Sequence, residues 1–144
     1  MSALKIVLKS DGEAFHIGPI HIRVLEDGSR TDNRLGAVEI TVPPHTDQTP
    51  AHLHRMHDET FLVTKGRLRF TTDEDHYDVD IGGYVVVPVG ARHTFSNPFE
   101  ETAVFFNSFT PAYYVDYLRD LSHLTELTPQ NILKVMAAYA TLPA

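Results

Sequence analysis

Between Ile20 and Phe109 the chain never settles into a helix-length period. β-Branched and aromatic runs such as IHIRVL, LGAVEITV, ETFLVTKGRLRFTT, YVVVPVG and TAVFFNSF alternate with turn clusters, EDGSRTDNR, PPHTDQTP and DED among them. Short strands recurring at this spacing predict an antiparallel sandwich or barrel rather than a parallel α/β sheet. Helical signals begin only afterwards. In TPAYYVDYLRDLSHL, Thr110 is expected to cap, Pro111 to take the first helical position, and Tyr114, Leu118 and Leu121 to share a face. TPQNILKVMAAYA repeats the arrangement with Thr128, Pro129, Ile132, Val135, Met136 and Tyr139. The expected architecture is therefore all-β, an antiparallel barrel over about 15–109 followed by two short C-terminal α-helices over about 110–144. The apolar helix faces must be buried on the barrel or on a partner subunit.

A chain of 144 residues reads as one domain, long enough to bury a core without metal or covalent staples. It has no cysteine, so disulfides, thiolate zinc sites and cysteine nucleophiles are excluded, and a metal would have to use His and carboxylate ligands drawn from nine histidines and the acidic residues. A formal charge of −7 provides no basic stripe for phosphates, which argues against nucleic acid as a partner. No run of about 18 apolar residues and no leader pattern occurs, so a soluble, cytoplasmic protein with no membrane partner is expected.

The segment AHLHRMHDETFLVTKG, residues 51–66, concentrates chemistry. In a strand, His52 and His54 point to the same side. Glu59 has the opposite parity, so a turn or bulge within Arg55 to Asp58 must reset the register before Glu59, Phe61 and Val63 can face inward together. Two histidines and a carboxylate are a recurrent way to hold a transition metal with open coordination positions. A second segment, GGYVVVPVGARHTFSN, adds His93 after a Pro-Val-Gly turn.

The two segments together resemble the paired motifs of the cupin superfamily of small β-barrels. The first motif, His-x-His, four spacers, Glu, six spacers and Gly, is met by His52, His54, Glu59 and Gly66. The second, Gly, five spacers, Pro-x-Gly, two spacers, His, three spacers and Asn, is met by Gly82, Pro88, Gly90, His93 and Asn97. One departure stands before the first histidine, where Thr46 replaces the glycine of the pattern. The resemblance implies a jelly-roll barrel in which His52, His54, Glu59 and His93 ligate one divalent ion (Fe, Mn, Ni, Co, Cu or Zn). The alternative is a metal-free barrel in which the same residues hydrogen-bond one another. His57 reads as a solvated loop histidine, with an acid or base at the cavity mouth as its other reading. His16, His21, His45, His76 and His123 read as ordinary histidines.

Inward parity also describes the cavity. Val38, Ile40 and Val42 share one face, as do Phe61 with Val63, Val85 with Val87, and Phe105 with Asn107 and Phe109. These side chains either line an apolar pocket or simply fill a small barrel. A pocket of this kind suits a flat, hydrophobic ligand with a chelating oxygen better than a sugar phosphate. Among cupins the chain most resembles the quercetin 2,3-dioxygenase type, in which the glutamate touches the metal and takes the substrate's hydroxyl proton. That implies a dioxygenase acting on a hydrophobic aromatic enol or catechol, with Glu59 as catalytic base. Cupin-type polyketide cyclases imply the alternative, a non-oxidative cyclase or isomerase acting on a polyketide-like substrate. A non-enzymatic metal or small-ligand binding cupin is the third reading. Uncovered strand edges and helix faces predict a homodimer.

Overall fold

The structure is a computed structural model, and it describes residues 3–48, 52–54, 56–73, 75–139 and 141–143, without the side chains of Leu53, His54, Leu142 and Pro143. Among the described residues every strand pairing is antiparallel. The strands are β1 (Ala14–Ile17), β2 (Ile20–Glu26), β3 (Gly36–Val42), β4 (His52–His54), β5 (Asp58–Lys65), β6 (Arg67–Thr71), β7 (His76–Asp80), β8 (Tyr84–Val87), β9 (Thr94–Ser96), β10 (Ala103–Thr110) and β11 (Thr141–Pro143). One sheet runs β1-β2-β3-β10-β5-β8, a second β7-β6-β9, and β11 pairs with β4. Helices α1 (Tyr114–Ser122) and α2 (Pro129–Ala138) follow β10.

Period-two alternation decides what faces inward. In β10, Ala103, Phe105, Asn107 and Phe109 are buried, and the strand lies between β3 and β5. Val38, Ile40 and Val42 of β3, Phe61 and Val63 of β5, and Leu68 and Phe70 of β6 complete the interior. The rings of Phe61 and Phe105, 5.3 Å apart at their centroids, join Phe70 and Phe95 in one aromatic cluster between the sheets. Burying each of these side chains contributes roughly 1.5–3 kcal/mol.

Gly66 makes the corner between sheets possible. It alone separates β5 from β6, its φ is +67°, and a Cβ there would collide with the Thr102 carbonyl. The turn before β4 works without the glycine of the family pattern, because the left-handed residue is His45 (φ 54°). Thr46 is then free to exchange backbone hydrogen bonds with Asn97 at 2.9 and 3.0 Å. Asn97 is fully buried; its Nδ2 donates to the carbonyls of Val42, Pro43 and Glu101, and its Oδ1 accepts from Phe99 N–H.

The helical tail corrects one expectation. Thr110 does not cap α1; it is the last residue of β10, paired with Asp58 across the ladder, and the Thr110–Pro111 peptide is cis. Strand pairing has overridden the local Thr-Pro signal, and α1 starts three residues later with no side-chain cap. At α2 the same signal holds: Thr128 Oγ1 accepts from Asn131 N–H at 3.2 Å and Pro129 opens the helix. Tyr114, Leu118 and Leu121 are buried against the barrel as the periodicity predicts, together with Val115 and Tyr117. Arg119 fixes the other side of α1, donating to Glu13 at 2.7 Å, Asp27 at 2.9 Å and Asp116 at 2.9 Å.

Candidate metal centre

The two sequence segments meet through the backbone before they meet through side chains. His52 N–H donates to the His93 carbonyl at 3.0 Å and His93 N–H to the His52 carbonyl at 2.9 Å. This closed pair brings the imidazoles to 4.3 Å between centroids. Arg55, in the segment expected to reset the register, lies outside the described residues; Glu59, Phe61 and Val63 are all buried on the inner face of β5. His52, Glu59 and His93 then offer ligand atoms within 4.8 Å of one another, the one such group of three among the described residues. His54 lies on β4, its backbone paired with Thr141, and its side chain lies outside the described residues.

Glu59 is 4% exposed, and a buried carboxylate is tolerated only when its oxygens are engaged. His93 Nε2 stands 3.2 Å from Oε1, and Asn107 Nδ2 donates to Oε2 at 3.1 Å. Asn107 is held in turn by its bond to the Thr60 carbonyl at 2.8 Å. Parity placed Asn107 inside, but its bond to Glu59 crosses between β10 and β5 and has no spacing signature. His93 Nδ1 lies 3.0 Å from the Ala91 carbonyl, which can only accept, so Nδ1 carries a proton and Nε2 faces the cluster. Burial pushes the His93 imidazolium toward losing its proton, but the Glu59 hydrogen bond and charge, with the Ala91 carbonyl, outweigh it and leave the pKa raised.

The cluster opens into a cavity of about 560 Å³ between the barrel and the two helices. Ile22, Ile40, Phe61, Phe95, Leu118 and Met136 represent its mostly apolar wall, and no Lys or Arg lines it among the described residues. Tyr114 and Tyr117 add two phenols from α1.

His57 is not a solvated loop histidine. It is 1% exposed, its Nδ1 lies 3.2 Å from Tyr113 Oη, and its ring packs 4.5 Å from that of Tyr114. The turn that holds it is covered by the start of α1, a contact 56 residues away along the chain. The other histidines lie outside the cluster. His16 and His21 face each other across β1 and β2, His45 contacts Glu100 at 3.0 Å while lining the cavity, His76 opens β7 and His123 ends α1.

An antiparallel jelly-roll barrel with a His and Glu cluster at the foot of an internal cavity defines the class. The chain belongs to the cupin family: residues 38–109 match the cupin domain. No curated protein matches it in sequence. Among solved structures it is similar to KdgF from Halomonas sp., with 15% identity over 76% of this chain and 94% of that one and a TM-score of 0.66. A protein described as a predicted oxalate decarboxylase from Thermotoga maritima shares 14% identity over 74% of this chain and 99% of its own, with a TM-score of 0.67. A sugar phosphate isomerase from Silicibacter pomeroyi shares 23% identity over 65% of this chain and 60% of its own length, with a TM-score of 0.58. At these identities the likeness is one of fold.

The family implies a resident divalent ion, and the donor set fits one. Imidazole nitrogen and carboxylate oxygen bind borderline ions at about 2.0–2.2 Å. The three donors are close enough for small side-chain rotations to bring them to one ion. The bond between His93 and Glu59 would also serve a metal-free barrel, so the donor chemistry, rather than that bond, carries the metal reading. No helix among the described residues is long and apolar enough to cross a membrane.

Proposed function

We propose that the chain is a metal-dependent dioxygenase of a hydrophobic aromatic enol or catechol, with His52, His54, Glu59 and His93 as ligands of one divalent ion and Glu59 as the base. The observation that carries this reading is the contrast within one cavity: a compact His and Glu cluster at its foot and a wall without a cationic side chain among the described residues. A sugar phosphate would carry its charge into that wall with nothing to pair it, at a cost of several kcal/mol. The similarity to a sugar phosphate isomerase therefore argues for a shared barrel and not for a shared substrate.

A bound ion would supply Lewis acidity toward the substrate oxygens. Glu59 accepts the hydroxyl proton of the enol or catechol. Asn107 holds its Oε2 in place, leaving Oε1 on the side of His93 as the basic oxygen. The Ala91 carbonyl fixes the His93 ring so that Nε2 faces the cluster. The apolar wall excludes water and aligns the flat substrate by contact, and both atoms of dioxygen enter the product.

Metal analysis of protein purified without added metal, followed by oxygen uptake with flavonols and catechols, tests the proposal. Metal content near one ion per chain and substrate-dependent oxygen uptake are expected. Turnover without oxygen uptake would assign the non-oxidative cyclase or isomerase, and metal or ligand binding without turnover the binding protein.

A further inference from the structure

Besides the motif donors and the edge formed by His45, Thr46, Asp47 and Gln48, the cavity is lined by two phenols that lie outside the cupin motifs. Tyr114 and Tyr117 are on α1, beyond the residues 38–109 that match the family. Spaced i, i+3, they share the helix face that Leu118 and Leu121 also present to the cavity. Their exposures are 4% and 5%, and their rings lie 4.5 Å apart.

A purely packing role does not explain the hydroxyls. Phe109 sits against Tyr114 at 5.1 Å, and Phe61 and Phe95 line the same cavity, so bare aromatic rings suit these surroundings. Each phenol adds a polar atom that can both donate and accept a hydrogen bond. Two such groups side by side, in a wall otherwise largely apolar, form a local polar point that a ligand oxygen can join.

We infer that the Tyr114–Tyr117 pair is a second recognition point of the cavity, binding the remote oxygen of an aromatic substrate whose chelating oxygens lie at the His52, Glu59 and His93 cluster. The inference rests on the proposed reading of that cluster and narrows its substrate class. The ligand is a largely apolar aromatic molecule with an enol or catechol pair at one end and a hydroxyl or carbonyl at the other. A cavity of about 560 Å³ lies within the range that encloses drug-sized ligands. Burial raises both phenol pKa values, that of Tyr117 to about 12, so both groups are uncharged at neutral pH and present hydroxyl donors rather than anions.

Two flavonol probes read this point directly: 3-hydroxyflavone, which has only the chelating pair, and 3,4′-dihydroxyflavone, which adds a hydroxyl on the remote ring. Binding to metal-loaded full-length protein is measured without oxygen, so turnover does not intervene. Wild-type protein is expected to prefer the dihydroxy probe about 10-fold, the net effect of one hydrogen bond. Tyr117→Phe and the double Tyr114→Phe, Tyr117→Phe variant should abolish that preference while metal content stays at the wild-type level. Equal wild-type affinity for the two probes overturns the inference even if no variant folds, and leaves the metal and dioxygenase reading standing. So does a preference that survives in both variants, or an equal loss of affinity for both probes, which would mark the tyrosines as packing groups. If the metal-loaded wild type binds neither probe, the aromatic substrate class fails and this recognition point fails with it.

Discussion

The barrel and the helical tail contribute to the same cavity by different means. The barrel holds its donors with ladder pairing and paired backbone bonds, as between His52 and His93, so their placement is set by strand register. The tail holds Tyr114 and Tyr117 by side-chain packing and by the Arg119 ion pairs, a less constraining attachment. The candidate metal ligands thus depend on strand register, and the proposed recognition pair on the packing of a helix beyond the barrel.

The sharpest way to break this contrast is to remove the base. On metal-loaded protein, Glu59→Gln should lower turnover about 100- to 10,000-fold, the usual contribution of general-base catalysis, with binding of substrate retained. Steady-state kinetics at matched metal content checks it, and undiminished turnover would take proton transfer away from Glu59. Removing a barrel ring comes next: Phe105→Ala should cost about 3–5 kcal/mol in urea unfolding, because the fully buried side chain leaves a cavity in the aromatic cluster. Leu121→Ala on α1 should cost less, about 2–3 kcal/mol, since it is 9% exposed and borders an existing cavity. If the two losses were equal, the tail would be as tightly built in as the barrel.

His93→Ala should lower metal content several-fold without unfolding the protein, because the core and not the ion holds the barrel together. Metal analysis alongside thermal melts with and without chelator checks both halves. A smaller effect is expected at Asp27. Its hydrogen bonds with Ser29, then its bond and charge interaction with Arg119, hold its carboxyl well below the usual carboxylate range. A depressed folded-state pKa adds stability above the unfolded value, near pH 4, and the contribution is lost as pH falls below it. Asp27→Asn should therefore destabilise by about 1 kcal/mol at pH 7, with a difference that shrinks below pH 4 in urea titrations.

The legible part of the site was the part governed by local spacing. His52, Glu59 and His93 belong to short motifs, and strand alternation together with the expected reset before β5 predicts them on one side. Asn107 was legible as an inward residue but not as the partner of Glu59, since register between β10 and β5 joins residues 48 apart. His57 was misread because its turn looks polar and solvent-facing until α1 covers it.

By itself, then, the sequence determined the strand and turn period, the inward faces, the cupin motifs and the amphipathic helices, all of which depend on neighbours a few residues apart. Tertiary structure decided where β10 gave way to α1 and which partners Glu59 took. It also decided that Tyr114 and Tyr117 joined the cavity. The physical reason is common to all three: long-range pairing and burial outweigh local propensity wherever distant elements compete for the same backbone or the same buried space.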